Sequence, residues 1–318
     1  MTANKKVTFA TANLFNFIQP PGAFYDFLNI YESDAWREKC RWTQLQVQRL
    51  DADIVALQEV FSIDAAKMLF EEIGFPYFKV VDCPHVEQEY IFTQPVVALA
   101  SKYPITHTEA VVPPEHIEKN YQTSLPEFSR KPIYATVNIP EIGEIAVYVC
   151  HLKSQRATEA NDLENDHSLI GKWLSSQQRG WEAAMLRVFM EQKYQKHPIP
   201  TVLMGDMNQP LTSDITGLLT LELEQTDKAL RLQDSRHIFT KNNNAIEREP
   251  THYHFGKGNV LDYVLLSQEF QVDSQYFLAE VVDYKVLNQH LINPIFERDR
   301  QASDHAFVAA TVDFVRLS

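Results

Sequence analysis

The chain has 318 residues, with 29 Lys and Arg against 42 Asp and Glu, a formal net charge of −13. Apolar residues make up 45% and charged residues 22%, a globular balance that excludes a largely disordered or fibrous chain and leaves enough apolar chain for a large core. The acidic excess argues against a non-specific grip on long nucleic acid, which leans on Lys and Arg, but leaves a local basic pocket open.

In chain order, residues 7–14 alternate and read as a strand. Residues 35–50, rich in Arg, Gln and Leu, read as a helix. Residues 53–58 are a continuous apolar run, as in a buried strand. Residues 63–73 carry apolar side chains at helical spacing and stop at Gly74, a C-cap residue. Strands follow at 95–101, 132–139 and 144–152, the last two joined by the short turn Ile139-Pro140-Glu141-Ile142-Gly143. Residues 168–194 form one long helix, or two interrupted at Gly180. Strands at 201–204, 260–266 and 306–314 complete the set. Aromatic-rich residues 15–33 and proline-bearing residues 109–131 match neither pattern and read as long loops that wall a site.

No repeat, low-complexity tract or Gly/Ser linker divides the sequence, so residues 1–318 read as a single domain. Tight turns between some strands, without a strict βαβα rhythm, predict an α+β layered sandwich with antiparallel pairs. Cys40, Cys83 and Cys150 are widely spaced and read as reduced, buried thiols. No run of about 18 apolar residues exists. The stretch after Lys5 and Lys6 is broken by Thr8, Thr11, Asn13 and Asn16, a poor signal-peptide core. A cytoplasmic protein without membrane insertion is expected, and nothing points to a protein partner.

The informative polar residues sit where apolar runs end: Asn13, Glu59, His151, Asp206 with Asn208, Asp262, and Asp304 with His305. Singly each has a plain explanation, such as a turn-forming Asn or a solvated Glu. Together they match metal-assisted attack on phosphorus. Magnesium takes oxygen ligands and one or two carboxylates, which Glu59 and Asn13 supply. Asp206 and Asn208 suit a base or an orienting group for water. His151 and His305 suit donors to the charge developing on phosphate, and Asp262 could orient an imidazole. Lys153 and Arg156 follow His151, and Arg179 lies on the next helical stretch, a local anion clamp for a substrate phosphate. Arg187 reads as part of a solvated helix face. In Thr251-His252-Tyr253-His254, two histidines share one side of a strand. No third and fourth zinc ligand is obvious, so a surface or rim role is expected.

From about Val7 to Phe314 the chain resembles the endonuclease/exonuclease/phosphatase superfamily, which includes pancreatic-type DNases, abasic-site endonucleases, inositol polyphosphate 5-phosphatases and neutral sphingomyelinases. The resemblance is carried by Thr11-Ala12-Asn13-Leu14-Phe15, Leu57-Gln58-Glu59-Val60, Ala100-Ser101-Lys102-Tyr103-Pro104 and Cys150-His151-Leu152-Lys153-Ser154. Gly205-Asp206-Met207-Asn208, Leu261-Asp262-Tyr263-Val264 and Ser303-Asp304-His305 complete it. It implies a four-layer α/β/β/α sandwich with two packed, mostly antiparallel sheets. It also implies a divalent ion, Mg²⁺ or Mn²⁺ with Ca²⁺ as a further option, beside Asn13, Glu59 and Asp304. His151 resembles the histidine that contacts the scissile phosphate, Asp206 and Asn208 the pair that activates and orients water, and Asp262 the partner of His305. One departure stands out: where many abasic-site endonucleases have an acidic residue two positions after the first Asn, this chain has Phe15.

The activity expected is metal-dependent hydrolysis of a phosphodiester or phosphomonoester by in-line attack of water. The substrate would be a phosphorylated small molecule, a lipid head group or nucleic acid. A DNA endo- or exonuclease is the alternative, because His151-Leu152-Lys153-Ser154 also resembles a stretch of some bacterial secreted DNases. The net charge and the lack of a basic run stand against it. A non-catalytic binding protein on the same fold should have lost at least one of Glu59, Asp206 or His305.

Overall fold

The computed structural model describes residues 5–160, 167–222, 229–241 and 248–315. Two six-stranded sheets form its centre. The first contains β1 (Lys5–Phe17), β2 (Ile54–Val60), β3 (Tyr77–Lys79) and β4 (Val96–Ser101). The second contains β5 (Ile105–Ala110), β6 (Ile133–Ile139), β7 (Gly143–His151), β8 (Thr201–Asp206), β9 (Gln233–Asp234) and β10 (Asp262–Leu266). The chain then returns to the first sheet with β11 (Ala279–Leu287) and β12 (Phe307–Phe314). The strand orders are β11-β12-β1-β2-β4-β3 and β9-β10-β8-β7-β6-β5.

Side-chain alternation along the strands builds the layers. Val7, Phe9, Ile54 and Ala56 of the first sheet meet Val147, Val149, Val202 and Val264 of the second in a fully buried seam. The outer face of the first sheet, including Ala10, Ala12, Val55 and Leu57, packs on helices α1 (Ser33–Leu50) and α2 (Ile63–Glu72) through Trp42, Leu50 and Phe70. The outer face of the second, including Tyr148 and Leu203, packs on α3 (Ser168–Lys196) through Ala183, Leu186 and Met190. The order is therefore α/β/β/α, as expected. Each of these buried Leu, Val or Phe side chains contributes about 1.5–3 kcal/mol by leaving water.

Each sheet has one parallel pair, β1 with β2 and β7 with β8; its other neighbours are antiparallel. The C-terminal ends of all four parallel strands carry polar residues: Asn13, Glu59, His151 and Asp206. The antiparallel neighbours β10 and β12 begin where those strands end. Asp262 thus opens β10 opposite Asp206, and Asp304 and His305 lie just before β12.

The expected central strands are present within a few residues. Helix α3 is unbroken: a Cβ at Gly180 would meet only Ile215, at 3.8 Å, so no kink is imposed. Gly74, at φ +96°, follows the end of α2 as expected. Four strands of these two sheets escaped the sequence reading, β3, β5, β9 and β11, because they are only partly buried and lack a continuous apolar run. Residues 109–131 include the end of β5 and a helix, Glu115–Tyr121, and residues 15–33 include the short strand Ala23–Phe24. The cysteines are free, but only Cys150 is buried as expected; Cys40 is half-buried and Cys83 exposed. No helix among the described residues is long and apolar enough to cross a membrane.

Candidate active site

The rim residues are held by backbone that departs from regular strand. Phe15, Asn16, Glu59 and Asn208 all have left-handed φ, between 51° and 60°, a conformation that non-glycine residues adopt at a cost and that clusters at functional sites. The bend after Asn13 lets its Oδ1 accept the Phe15 N–H at 3.0 Å. The Asn16 N–H then donates to Glu59 Oε2 at 2.8 Å. The bulge in β2 swings Glu59 out of the pleat toward it. At Gly205 a Cβ would lie 2.0 Å from the Cys150 carbonyl oxygen. Only glycine lets β8 approach β7 closely enough to set Asp206 opposite His151.

A chain of contacts joins the two sheets across this rim. Asn13 Nδ2 donates to Asp206 Oδ2 at 3.2 Å and lies 3.4 Å from Glu59 Oε1. Asp206 Oδ1 accepts the Asn208 N–H at 2.8 Å, and the Asn208 side-chain amide donates to the Leu152 carbonyl at 2.8 Å. His151 Nε2 is 3.5 Å and His305 Nε2 3.7 Å from Asp206 Oδ2. His305 Nδ1 donates to Asp262 Oδ2 at 2.8 Å. Ser303 Oγ donates to the Asn13 carbonyl at 2.7 Å and accepts the His305 N–H at 3.0 Å, which ties the last segment to the first strand. Asn13, Asp206 and Asp262 are at most 1% exposed.

Burial and charge sort these groups. Burial pushes the Asp206 carboxyl up to about 7, against the pull of His305, with Asp262 and Glu59 adding to the rise. Burial opposes charge on His305 too, but Asp262, Asp206 and Asp304 outweigh it and raise this histidine well above its ordinary range. Burial holds His151 well below that range, helped by Arg130 and His305. The surroundings thus favour the charged form of His305 and the neutral form of His151.

The donors that could hold a metal are oxygen-rich. Glu59 and Asp304 are carboxylates, Asn13 brings an amide, and the buried Asp304 Oδ1 has no hydrogen-bond partner. Hard oxygen donors with an unsatisfied carboxylate oxygen fit Mg²⁺ or Mn²⁺. His252 also reaches this rim. Its ring centroid is 4.8 Å from that of His305. His252, Asp304 and His305 bring ligand-type atoms within 4.8 Å of one another, as do Asp206, Asp262 and His305. His254 instead packs against exposed Phe255 with tilted rings.

The cations expected to clamp phosphate divide. Lys153 is half-buried, with its ammonium pKa pushed down by burial and by Arg130, and Arg156 is exposed. Arg179 does not face the rim. It is 1% exposed, and its guanidinium donates to the Lys153 and Ser154 carbonyls at 2.9 and 3.1 Å and to Gln209 Oε1 at 3.1 Å. It braces the loop that carries Lys153. Arg187 corrects the solvated-face reading: it is buried and donates to the Leu219 and Leu230 carbonyls.

Three relevant residues escaped the sequence reading. Arg130 reaches the Leu152 carbonyl at 3.5 Å, and its Nε is buried without a partner. Glu182 accepts the Lys153 and Ser129 N–H groups at 2.6 and 2.8 Å, pinning both flanking loops to α3. Lys39, on α1, is 1% exposed. Burial lowers its pKa to about 8, although Glu59 and Asp304 pull it upward. Its signal was its phase: Lys39 shares the buried stripe of Trp42, Thr43, Gln46, Val47 and Leu50.

Solved structures of similar fold cover nearly the whole chain. The catalytic domain of human Nocturnin with bound sulfate is 16% identical, with a TM-score of 0.60, over 98% of this chain and 95% of that one. An endonuclease/exonuclease/phosphatase from Bacteroides vulgatus is 14% identical at TM-score 0.60, over 98% and 100%. A humanized D. rerio TDP2 is 13% identical at 0.58, over 97% and 99%. Among curated proteins, none matches. The Endonuclease/Exonuclease/phosphatase family matches residues 28–305, a span that takes in Glu59 through His305, and the chain belongs to that family of hydrolases.

Proposed function

We propose that this chain is a divalent-metal-dependent phosphoesterase in which water attacks phosphorus in line, and that its whole length serves one catalytic domain. The observation that carries the reading is the contact series Asp262–His305–Asp206, at 2.8 and 3.7 Å, between the ends of the two sheets. Asp262 holds the His305 imidazolium so that Nε2–H faces the rim and donates to a phosphate oxygen as charge develops there. Asp206, with a carboxyl near 7, is matched to taking a proton from water at neutral pH. Asn208 fixes Asp206 through its N–H. His151, neutral and buried, contacts the phosphate. Glu59, Asp304 and Asn13 hold the ion. A bound Mg²⁺ or Mn²⁺ would polarise a phosphate oxygen as a Lewis acid. Lys153, Arg156 and Arg130 flank the neutral His151 and attract the substrate anion, while Arg179 positions their loop.

The net charge of −13 favours a phosphorylated small molecule or lipid head group over long duplex DNA. The test is a panel of phosphomonoesters, phosphodiesters and single- and double-stranded DNA, with Mg²⁺, Mn²⁺, Ca²⁺ or EDTA. Hydrolysis that requires a cation is expected. No hydrolysis of any ester with any cation would overturn the reading, and preferred cleavage of duplex DNA would make the enzyme a nuclease.

A further inference from the structure

Lys39 is a buried cation that the proposed chemistry does not use. It lies in the inward stripe of α1 at 1% exposure. Among the described residues no side chain hydrogen-bonds or ion-pairs with its ammonium. Instead Nζ lies 5.5 Å from the ring centroid of Phe15 and 5.6 Å from that of Tyr31. The anions that act on it are Glu59 and Asp304. An ammonium taken from water costs several kcal/mol unless other groups compensate. Two aromatic faces offset part of that cost, and two nearby carboxylates offset more.

The neighbours of this cation are built into the rim. Phe15 takes a left-handed conformation, φ 51°, immediately beyond Leu14, the next residue after Asn13. Tyr31 packs against Phe24 and Trp36 with tilted rings, at 5.5 and 6.3 Å between centroids. Asn16, next to Phe15, donates its N–H to Glu59 Oε2 at 2.8 Å, so the cage is built on the segment that holds Glu59, and Glu59 and Asp304 both act on its positive charge. A second divalent ion at those carboxylates would be repelled by this charge in a poorly solvated setting.

We propose that the Lys39 ammonium is a resident second cation, which limits the Glu59–Asp304 site to one divalent ion and lowers its affinity for that ion. The inference rests on the proposed assignment of Glu59 and Asp304 to the metal. One divalent ion and one ammonium then stand where two ions would otherwise compete for the same oxygen donors.

The experiment is calorimetric titration with Mn²⁺ alone, without substrate, on wild type, Lys39→Met, Lys39→Gln and Glu59→Gln, each first checked for a cooperative thermal melt. Wild type should take up one Glu59-dependent ion. Both neutral variants should bind Mn²⁺ roughly tenfold tighter, the scale of removing one partly screened like charge. Glu59→Gln should lose the site. Two Glu59-dependent ions in wild type would overturn the proposal even if neither Lys39 variant folds. Unchanged or weaker binding in the folded Lys39 variants, with the Glu59→Gln loss intact, would overturn it alone. Wild-type binding in Glu59→Gln would overturn the metal assignment and this inference with it.

Discussion

Asp206→Asn should abolish turnover yet stabilise the fold, and it should do so only at neutral to alkaline pH. The folded carboxyl stands near 7 and its unfolded reference at 3.8, so the shift is about 3 units. At about 1.4 kcal/mol per unit, keeping Asp206 ionised in the fold costs roughly 4 kcal/mol. Between pH 4 and 7 the folded chain holds this proton while the unfolded chain has released it. Wild-type stability therefore falls as pH rises through that window and levels off above the folded value. The amide carries no such penalty. It cannot accept from both Asn208 and Asn13, a loss of about 1 kcal/mol, and the His305 imidazolium loses one of its anions. A net gain of about 1–3 kcal/mol at pH 8 remains, shrinking to zero or a small loss at pH 4. In a domain of this size that is a Tm rise of several degrees, at about 2–4 °C per kcal/mol. Thermal and urea unfolding of both proteins in EDTA, from pH 4 to 8, measures it. A stability difference that does not change with pH, or a variant less stable than wild type at pH 8, would refute the reasoning.

Glu59→Gln keeps shape and removes charge, so it should lose Mg²⁺ affinity and most turnover; unchanged Mg²⁺ binding by calorimetry would take Glu59 out of the metal site. His305→Ala should cost on the order of 10³-fold in kcat, the scale of losing a transition-state donor. Asp262→Asn should cost less in stability than in turnover and lower the pKa of His305, moving a limb of the pH–rate profile; near wild-type rates in both variants would contradict their assignment. Arg179→Met should free the Lys153 and Ser154 carbonyls, lower stability by about 1–3 kcal/mol in urea melts and raise KM more than it changes kcat. A duplex of mixed sequence should bind weakly at near-physiological salt; tight binding with a steep salt slope would reverse the substrate argument.

The layers were legible because each sheet is built from buried alternating strands, whose apolar runs are visible without knowing their partners. The candidate site was legible for a related reason. Asn13, Glu59, His151 and Asp206 interrupt apolar runs where parallel strands end together, and Asp262 and His305 stand where antiparallel neighbours begin. Arg179 and Arg187 were not legible, since an arginine that braces backbone carbonyls has the same sequence appearance as one on a wet helix face. Their burial is decided by backbone carbonyls that arrive from elsewhere in the chain, those of Lys153 and Ser154 for Arg179 and of Leu219 and Leu230 for Arg187. Lys39 was readable in principle from its phase on α1, but its cage depends on Phe15 and Tyr31 from a segment without regular periodicity. Arg130, at the end of another such segment, left no pattern at all.

The central claim is that water attacks phosphorus at the rim shared by Glu59, Asp206 and His305. Its most direct test is hydrolysis of an accepted phosphoester in ¹⁸O-labelled water with Mg²⁺, followed by mass spectrometry of both products. The label should appear in the phosphate product, and its incorporation should vanish with EDTA and fall steeply in His305→Ala. Label in the alcohol product, or incorporation that survives both EDTA and His305→Ala, would contradict the account.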